Sequence, residues 1–202
     1  MLLRTIERLS EVAGIERVYV LLAADDAHWE RLCSDLPQNV SAIRCGGATR
    51  ATTVRQGLAE IAGHVRADDW VLVHDAARPC VDPRCIEALM LALRDDPVGG
   101  LLALPVPDTI KRGNGDRVTE TIARDDLWLA QTPQMFRYGL LRAALEKLPA
   151  DAVTDEAQAM EAMGYAPRLV AGDASNLKIT YATDLALAEA ILQSRDMVKE
   201  NQ

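Results

Sequence analysis

The chain has 202 residues, enough for one domain or one domain with an appendage, and 49% of them are hydrophobic but only 4% aromatic, which calls for a core of Leu, Val, Ile and Ala. The net charge of −8 repels nucleic acid and anionic membrane, so an anionic substrate has to be held by a few locally placed Arg and Lys residues. No apolar run is long enough to span a bilayer and the start lacks a signal-peptide pattern, which points to the cytoplasm.

In chain order, residues 2–13 read as a helix with Leu2, Ile6, Leu9 and Val12 on one face and Gly14 beyond its end. Val18 to Leu22 reads as a buried strand, Asp25 to Leu36 as a second helix and Val40 to Cys45 as a second strand. Gly46 and Gly47 then permit backbone shapes closed to other residues, and Val54, Leu58, Ile61 and Ala62 recur at helical spacing. A glycine turn followed by hydroxyls and Arg50 at a helix N-terminus suits a polar or anionic ligand, although such turns are also ordinary punctuation.

Trp70 to Pro79 reads W-V-L-V-H-D-A-A-R-P, a buried strand through His74 that breaks into an acid, two alanines, an arginine and a proline. An acid at the carboxyl end of a parallel strand lies where open α/β sheets bind ligands. Ala76 and Ala77 leave the backbone approachable, and Arg78 offers a planar fork for phosphate. The same residues are compatible with a purely structural reading, in which Asp75 and Arg78 pair across a turn and His74 is a core histidine bonded to a carbonyl.

Asp82 caps the next helix, with Pro83 at its first position and Ile86, Leu89, Met90 and Leu93 as its buried stripe. Gly99 to Val106 reads as a strand, and Thr109–Lys111 with Arg117–Ile122 as a hairpin arm about R-G-N-G-D, at about residues 107–123. A ribbon of two strands needs something to pack on, and a second subunit is the simplest candidate. Arg137 to Lys147 and Thr154 to Met163 read as helices, the second capped by Thr154 and favoured by Asp155 and Glu156. Arg168–Val170 and Asn176–Thr180 read as short strands, Thr183 as the cap of a last helix along Leu185, Ala188 and Leu192, and the tail after Arg195 as frayed. Alternating strands and helices argue for a mostly parallel sheet covered on both sides. Cys33, Cys45, Cys80 and Cys85 form no C-x-x-C pair and read as reduced thiols.

Seven segments in one order give the chain a family resemblance: G-G-A-T-R-A-T-T-V, V-L-V-H-D-A-A-R-P, P-V-P-D-T-I-K, R-D-D-L-W, Q-T-P-Q, T-D-E-A and N-L-K-I-T. Across essentially the whole chain they resemble the 2-C-methyl-D-erythritol 4-phosphate cytidylyltransferases of non-mevalonate isoprenoid synthesis. The resemblance implies a single α/β domain with a Rossmann-like nucleotidyltransferase fold, and a homodimer whose β-arms clasp each other. It places Gly46, Ala48, Thr53, Asp75 and Ala76 at the CTP site. It places Asp75, Arg78, Thr109, Arg124 and Lys178 around the sugar phosphate, with Thr109 and Arg124 serving the partner's site. Thr53 stands where the family commonly has serine; Ala48 and Thr52 stand where acids are frequent, so no side-chain contact carries over there.

One departure concerns the start. The family opens with a strand, a glycine-rich loop P-A-A-G-x-G-x-R-M-G and a lysine in K-Q-Y; this chain has neither, and Met1-Leu2-Leu3 aligns just after that region. The resemblance therefore implies an amino-terminally shortened sequence whose own turnover is very poor.

The implied reaction is an in-line attack by the sugar phosphate on the α-phosphorus of CTP. Arg124 and Lys178 would grip the acceptor and take the catalytic roles, Mg²⁺ would ride on the triphosphate, and Asp75 would meet the ribose hydroxyls or the water shell of the metal. Read without the resemblance, Arg124 is an exposed charge beside Asp125 and Asp126, and Lys178 a solvated strand-edge lysine. Two other functions stand beside this one: a ribitol-5-phosphate cytidylyltransferase, and a non-catalytic dimeric binding module.

Overall fold

A computed structural model describes residues 1–32, 36–149 and 152–200, the last three of these by backbone only. Helix α1 (Leu2–Ser10) leads into β1 (Val18–Ala23), which pairs in parallel with β2 (Val40–Gly46), Val18 opposite Val40. Between them lies the short α2 (Trp29–Leu32), and after them α3 (Arg50–Glu60). A second sheet contains β3 (Trp70–Val73), β4 (Gly99–Pro105), β7 (Trp128–Arg137) and β8 (Arg168–Ala171) in the order β3-β7-β4-β8. The arm is β5 (Ile110–Asn114) with β6 (Arg117–Ile122), antiparallel and hydrogen-bonded to neither sheet. Helices α4 (Pro83–Leu93), α5 (Tyr138–Lys147), α6 (Glu156–Ala162) and α7 (Ala182–Glu200) complete the chain.

Period-two alternation along β4 and β7 decides which helix covers which face. Leu101 and Phe136 join Val54 and Leu58 of α3, Leu141 and Leu145 of α5, and Met160 of α6 in the largest core. Their neighbours Leu102 and Met135 point the other way, onto Leu89 and Leu93 of α4. Phe136, Leu102 and Leu141 are fully buried, each stabilising the fold by about 1.5–3 kcal/mol. A Cβ on Gly100 would lie 2.1 Å from the Arg168 carbonyl oxygen, so glycine is what lets β8 close on β4.

The α/β class, the first two strands, the hairpin and α4 with its Asp82 cap agree with the sequence reading. Several elements correct it. In the four-stranded sheet β3, β4 and β8 point one way and β7 alone runs against them, antiparallel to both β3 and β4; β8 pairs with β4 in parallel, as β2 does with β1. The third strand stops at Val73, so His74 lies in the following turn. The helix expected over 25–36 begins only at Trp29, since the Asp26 carboxylate accepts from the backbone N–H groups of His28 and Trp29 and caps it there. Residues 33–35 of that expectation, Cys33 among them, lie outside the described residues. The first helix ends at Ser10 rather than residue 13.

Asp155, not Thr154, caps α6 by accepting from Gln158 N–H at 2.9 Å, while the Gln158 side chain reaches back to Thr154 N–H at 2.7 Å, a reciprocal cap one residue later than expected. Asn176–Thr180 forms no strand. Helix α7 begins before Thr183 and runs to Glu200, so the segment after Arg195 is helical; Asp184 reaches back to the N–H groups of Thr180 and Tyr181. Cys45, Cys80 and Cys85 are free thiols. No helix among the described residues is long and apolar enough to cross a membrane.

Candidate active site

The turn after β3 is tied down from below by β7. The carbonyl of Arg78 only accepts, so His74 Nε2, at 3.2 Å from it, carries the ring hydrogen. His74 Nδ1 is then the acceptor for the Thr132 hydroxyl at 3.0 Å, and that hydroxyl accepts in turn from Asp75 N–H at 3.0 Å. Burial drives the imidazole pKa down to about 4, so the ring is neutral near pH 7 and this chain of bonds is fixed.

Above the turn, Asp75 meets three cations. Its Oδ1 accepts from Arg50 Nε at 2.8 Å; its Oδ2 lies 3.2 Å from Lys178 Nζ and 3.5 Å from Arg78 Nε. Arg50 comes from the first turn of α3, which Thr49 caps by accepting from Thr52 N–H. Its other two nitrogens fork onto Glu156 of α6 at 2.7 and 2.9 Å. Burial pushes the Asp75 carboxyl up, but Arg50 and Lys178 together outweigh that and hold it below the usual carboxylate range. Glu156 is 1% exposed, and its burial pushes it the other way, against the pull of Arg50.

Arg78 and Lys178 belong to segments that are bonded to each other. Arg78 Nη1 donates to the Asn176 carbonyl at 2.7 Å, Ile179 N–H to the Ala77 carbonyl at 2.9 Å, and the buried Asn176 amide to the Thr132 carbonyl at 2.8 Å. Arg78, Asn176 and Lys178 help wall a cavity of about 540 Å³ that also touches Pro105, Pro107 and Gln131. Arg78 and Lys178 are the charged side chains in its wall, and their positive charge favours an anion. A second cavity, about 430 Å³ beside Trp128, Asp155, Glu161 and Tyr165, carries no cation.

Residues 1–194 match the family model described as IspD, 2-C-methyl-D-erythritol 4-phosphate cytidylyltransferase. The chain belongs to that family. A relative of that name from Dechloromonas aromatica is 54% identical over 197 residues, covering 96% of this chain and 86% of its own. A crystal structure of a 4-diphosphocytidyl-2C-methyl-D-erythritol synthase superposes with a TM-score of 0.87 at 36% identity, over 95% of this chain and 87% of that one. The Francisella tularensis 2-C-methyl-D-erythritol 4-phosphate cytidylyltransferase gives 0.82 at 32% identity, over 94% and 87%.

Of the positions the family resemblance marks, Asp75, Arg78 and Lys178 come together within one cluster. Gly46 ends β2 so close to β1 that a Cβ would lie 2.8 Å from the Leu22 carbonyl oxygen. Ala48 is exposed in the turn before α3. The Thr53 hydroxyl accepts from Gly47 N–H at 3.0 Å and donates to the Thr49 carbonyl at 2.9 Å, so it shapes the glycine turn. Ala76 is exposed, and its carbonyl accepts from the buried Thr5 hydroxyl at 2.9 Å. Thr109 and Arg124 are exposed at the base of the arm, outside the Asp75 cluster; Arg124 hydrogen-bonds the Pro107 carbonyl, and Pro107 lines the larger cavity.

Sequence reasoning placed Arg50 toward a ligand, whereas its nitrogens are taken by Asp75 and Glu156. It gave Glu156 a helix-dipole role and gave Thr132, Gln134 and Asn176 none. The usable signal was composition: Gln131, Thr132, Gln134 and Asn176 are polar residues in stretches that have to be buried, and buried polar groups need assigned partners.

Proposed function

We infer that this chain transfers CMP from CTP to 2-C-methyl-D-erythritol 4-phosphate, giving 4-diphosphocytidyl-2-C-methyl-D-erythritol and pyrophosphate in isoprenoid precursor synthesis. The observation that carries the inference is the family match over residues 1–194. The Asp75 cluster supplies the chemistry. A phosphate monoester loses its second proton near about pH 6, so the acceptor is a dianion at neutral pH and needs no general base. The remaining task is to hold two anions in line and neutralise charge as it shifts to the leaving group.

In this reading Lys178 and Arg78 hold the acceptor phosphate beside Asp75, and Thr109 and Arg124 approach it from the arm of a second subunit. Gly46, Ala48, Thr53, Asp75 and Ala76 border the nucleotide. The donor set suits a magnesium ion carried in by the triphosphate rather than caged by protein. Among the described residues no three His, Cys, Asp or Glu side chains gather to hold a metal ion, and the Asp75 carboxylate lies 3.2 Å from the cavity-lining Lys178. When bound, the ion neutralises triphosphate charge; Asp75 meets its water shell or the ribose hydroxyls.

A homodimer fits the arm. Apart from Ile110 and Ile122 at its base, every residue of β5 and β6 is exposed, and Leu127, Trp128, Leu129 and Val118 leave apolar surface open nearby.

Pyrophosphate release by the intact protein, with CTP and either methylerythritol phosphate or ribitol 5-phosphate, tests the reading. Faster turnover of the methylerythritol compound supports it, preference for ribitol 5-phosphate replaces it with the sister activity, and no turnover of either leaves a binding module.

A further inference from the structure

We propose that Glu156 and Arg50 are a positioning pair for Asp75: Glu156 occupies two of the three guanidinium nitrogens, so that Arg50 reaches Asp75 through Nε alone and leaves Asp75 Oδ2 to Lys178, Arg78 and the substrate. This rests on the reading that Asp75 borders the substrates.

The geometry divides the guanidinium in two. Nη1 and Nη2 bond the two Glu156 oxygens at 2.7 and 2.9 Å, and Nε bonds Asp75 Oδ1 at 2.8 Å. A guanidinium offered a single carboxylate forks onto both of its oxygens. Without Glu156, Arg50 turns its fork onto Asp75 and takes the oxygen that now faces Lys178. Oδ2, which Lys178 approaches at 3.2 Å and Arg78 at 3.5 Å, then carries Arg50 as well, and Lys178 is displaced to solvent instead of standing beside Asp75 for the acceptor.

Glu156 is not needed to fasten α6. That helix is already secured by the Asp155 cap and by buried Gln134, whose amide donates to Asp155 Oδ2 at 3.0 Å and accepts from Ala157 N–H at 2.8 Å. A buried ion pair is a poor stabiliser beside an apolar pair of equal volume, because desolvation offsets the attraction. Glu156 is 1% exposed and Arg50 is half-sunk, so keeping charge at both positions calls for a role in orienting a third group.

Arg50→Met with Glu156→Gln in one protein tests this, because it removes both charges while keeping volume and leaves no charge unpaired. The expected double variant melts within a few degrees of the parent, yet its kcat/KM for the sugar phosphate falls by about tenfold or more. In that background Lys178→Met has a smaller effect than in the parent, since Asp75 without Arg50 on Oδ1 no longer presents Oδ2 to Lys178 in a fixed orientation. A folded double variant with parental kcat/KM, or an undiminished Lys178→Met effect, overturns the proposal. Should the double variant not fold, Glu156→Asp decides: it keeps the charge one methylene short, and kcat/KM falls at unchanged melting temperature; unchanged kcat/KM overturns the proposal. Asp75→Asn is measured alongside. If that variant turns over like the parent, the reading of the site itself fails, whereas a dead Asp75→Asn beside a fully active double variant removes only the role of the pair.

Discussion

The ammonium of Lys178 lies 3.2 Å from Asp75 Oδ2, although the two residues come from segments that share no secondary structure. The contact exists because Arg78 and Ile179 stitch the turn after β3 to the 176–180 segment through the carbonyls of Asn176 and Ala77. Lys178 is half exposed, so its charge is free to leave Asp75 for an arriving phosphate. Replacing it by Met removes one charge-assisted hydrogen bond worth about 1.5–3 kcal/mol, so KM for the sugar phosphate rises by roughly tenfold or more. KM for CTP moves far less. Steady-state kinetics with each substrate varied in turn measures both, and an equal rise in the two removes Lys178 from the acceptor side.

Arg124 has a different signature. It sits against the Pro107 carbonyl at the base of the arm, and Pro107 walls the cavity that also holds Lys178. Arg124→Ala is expected to raise KM for the sugar phosphate and to slow chemistry, leaving CTP binding close to the parent. Calorimetric titration of CTP into the variant checks the second half; a matching loss of CTP affinity counts against the assignment.

How legible the molecule was depended on whether a residue's partner is near in sequence. Asp82 and Pro83 announce α4 because cap and helix are adjacent. Strand β7 went unread because Pro133 interrupts it and Gln131, Thr132 and Gln134 make it look like a loop. These polar side chains are buried, and their partners lie far along the chain: Asp173, His74, Asp155 and Ala157. The apolar alternation of Asn176–Thr180 resembles a strand, but its backbone is spent on the Ala77–Arg78 turn instead of a ladder. Asp75, Arg78 and Lys178 were found through motif order; the Arg50–Glu156 pair was not, since each residue has a sufficient local reading as a helix-start residue.

His74 makes stability depend on pH. Its folded pKa of about 4 lies below the ordinary value of about 6.5, so between those limits the unfolded chain binds the extra proton. The stabilisation is complete above about pH 6.5 and is lost as pH falls toward 4, by something on the order of 2–3 kcal/mol. Urea unfolding of the parent and of His74→Gln across this window measures the difference. The parent is expected to lose stability more steeply with acidification, and parallel curves contradict a neutral His74.

Val118 on the arm is 65% exposed, so a charge there costs a single chain little. If a second copy covers the arm, Val118→Asp shifts the mass measured by sedimentation toward the monomer with no change in the monomer's far-ultraviolet dichroism. An unaltered mass distribution places the subunit contact elsewhere or denies it.

A crystal structure of the assembled protein with a non-reacting CTP analogue and 2-C-methyl-D-erythritol 4-phosphate tests the convergence of these side chains most directly. The expected density has the sugar phosphate within about 3 Å of Lys178 Nζ and of an Arg124 guanidinium, beside Asp75 and facing the α-phosphate. A phosphate bound elsewhere, with Lys178 still on Asp75 and Arg124 still on the Pro107 carbonyl, would contradict it.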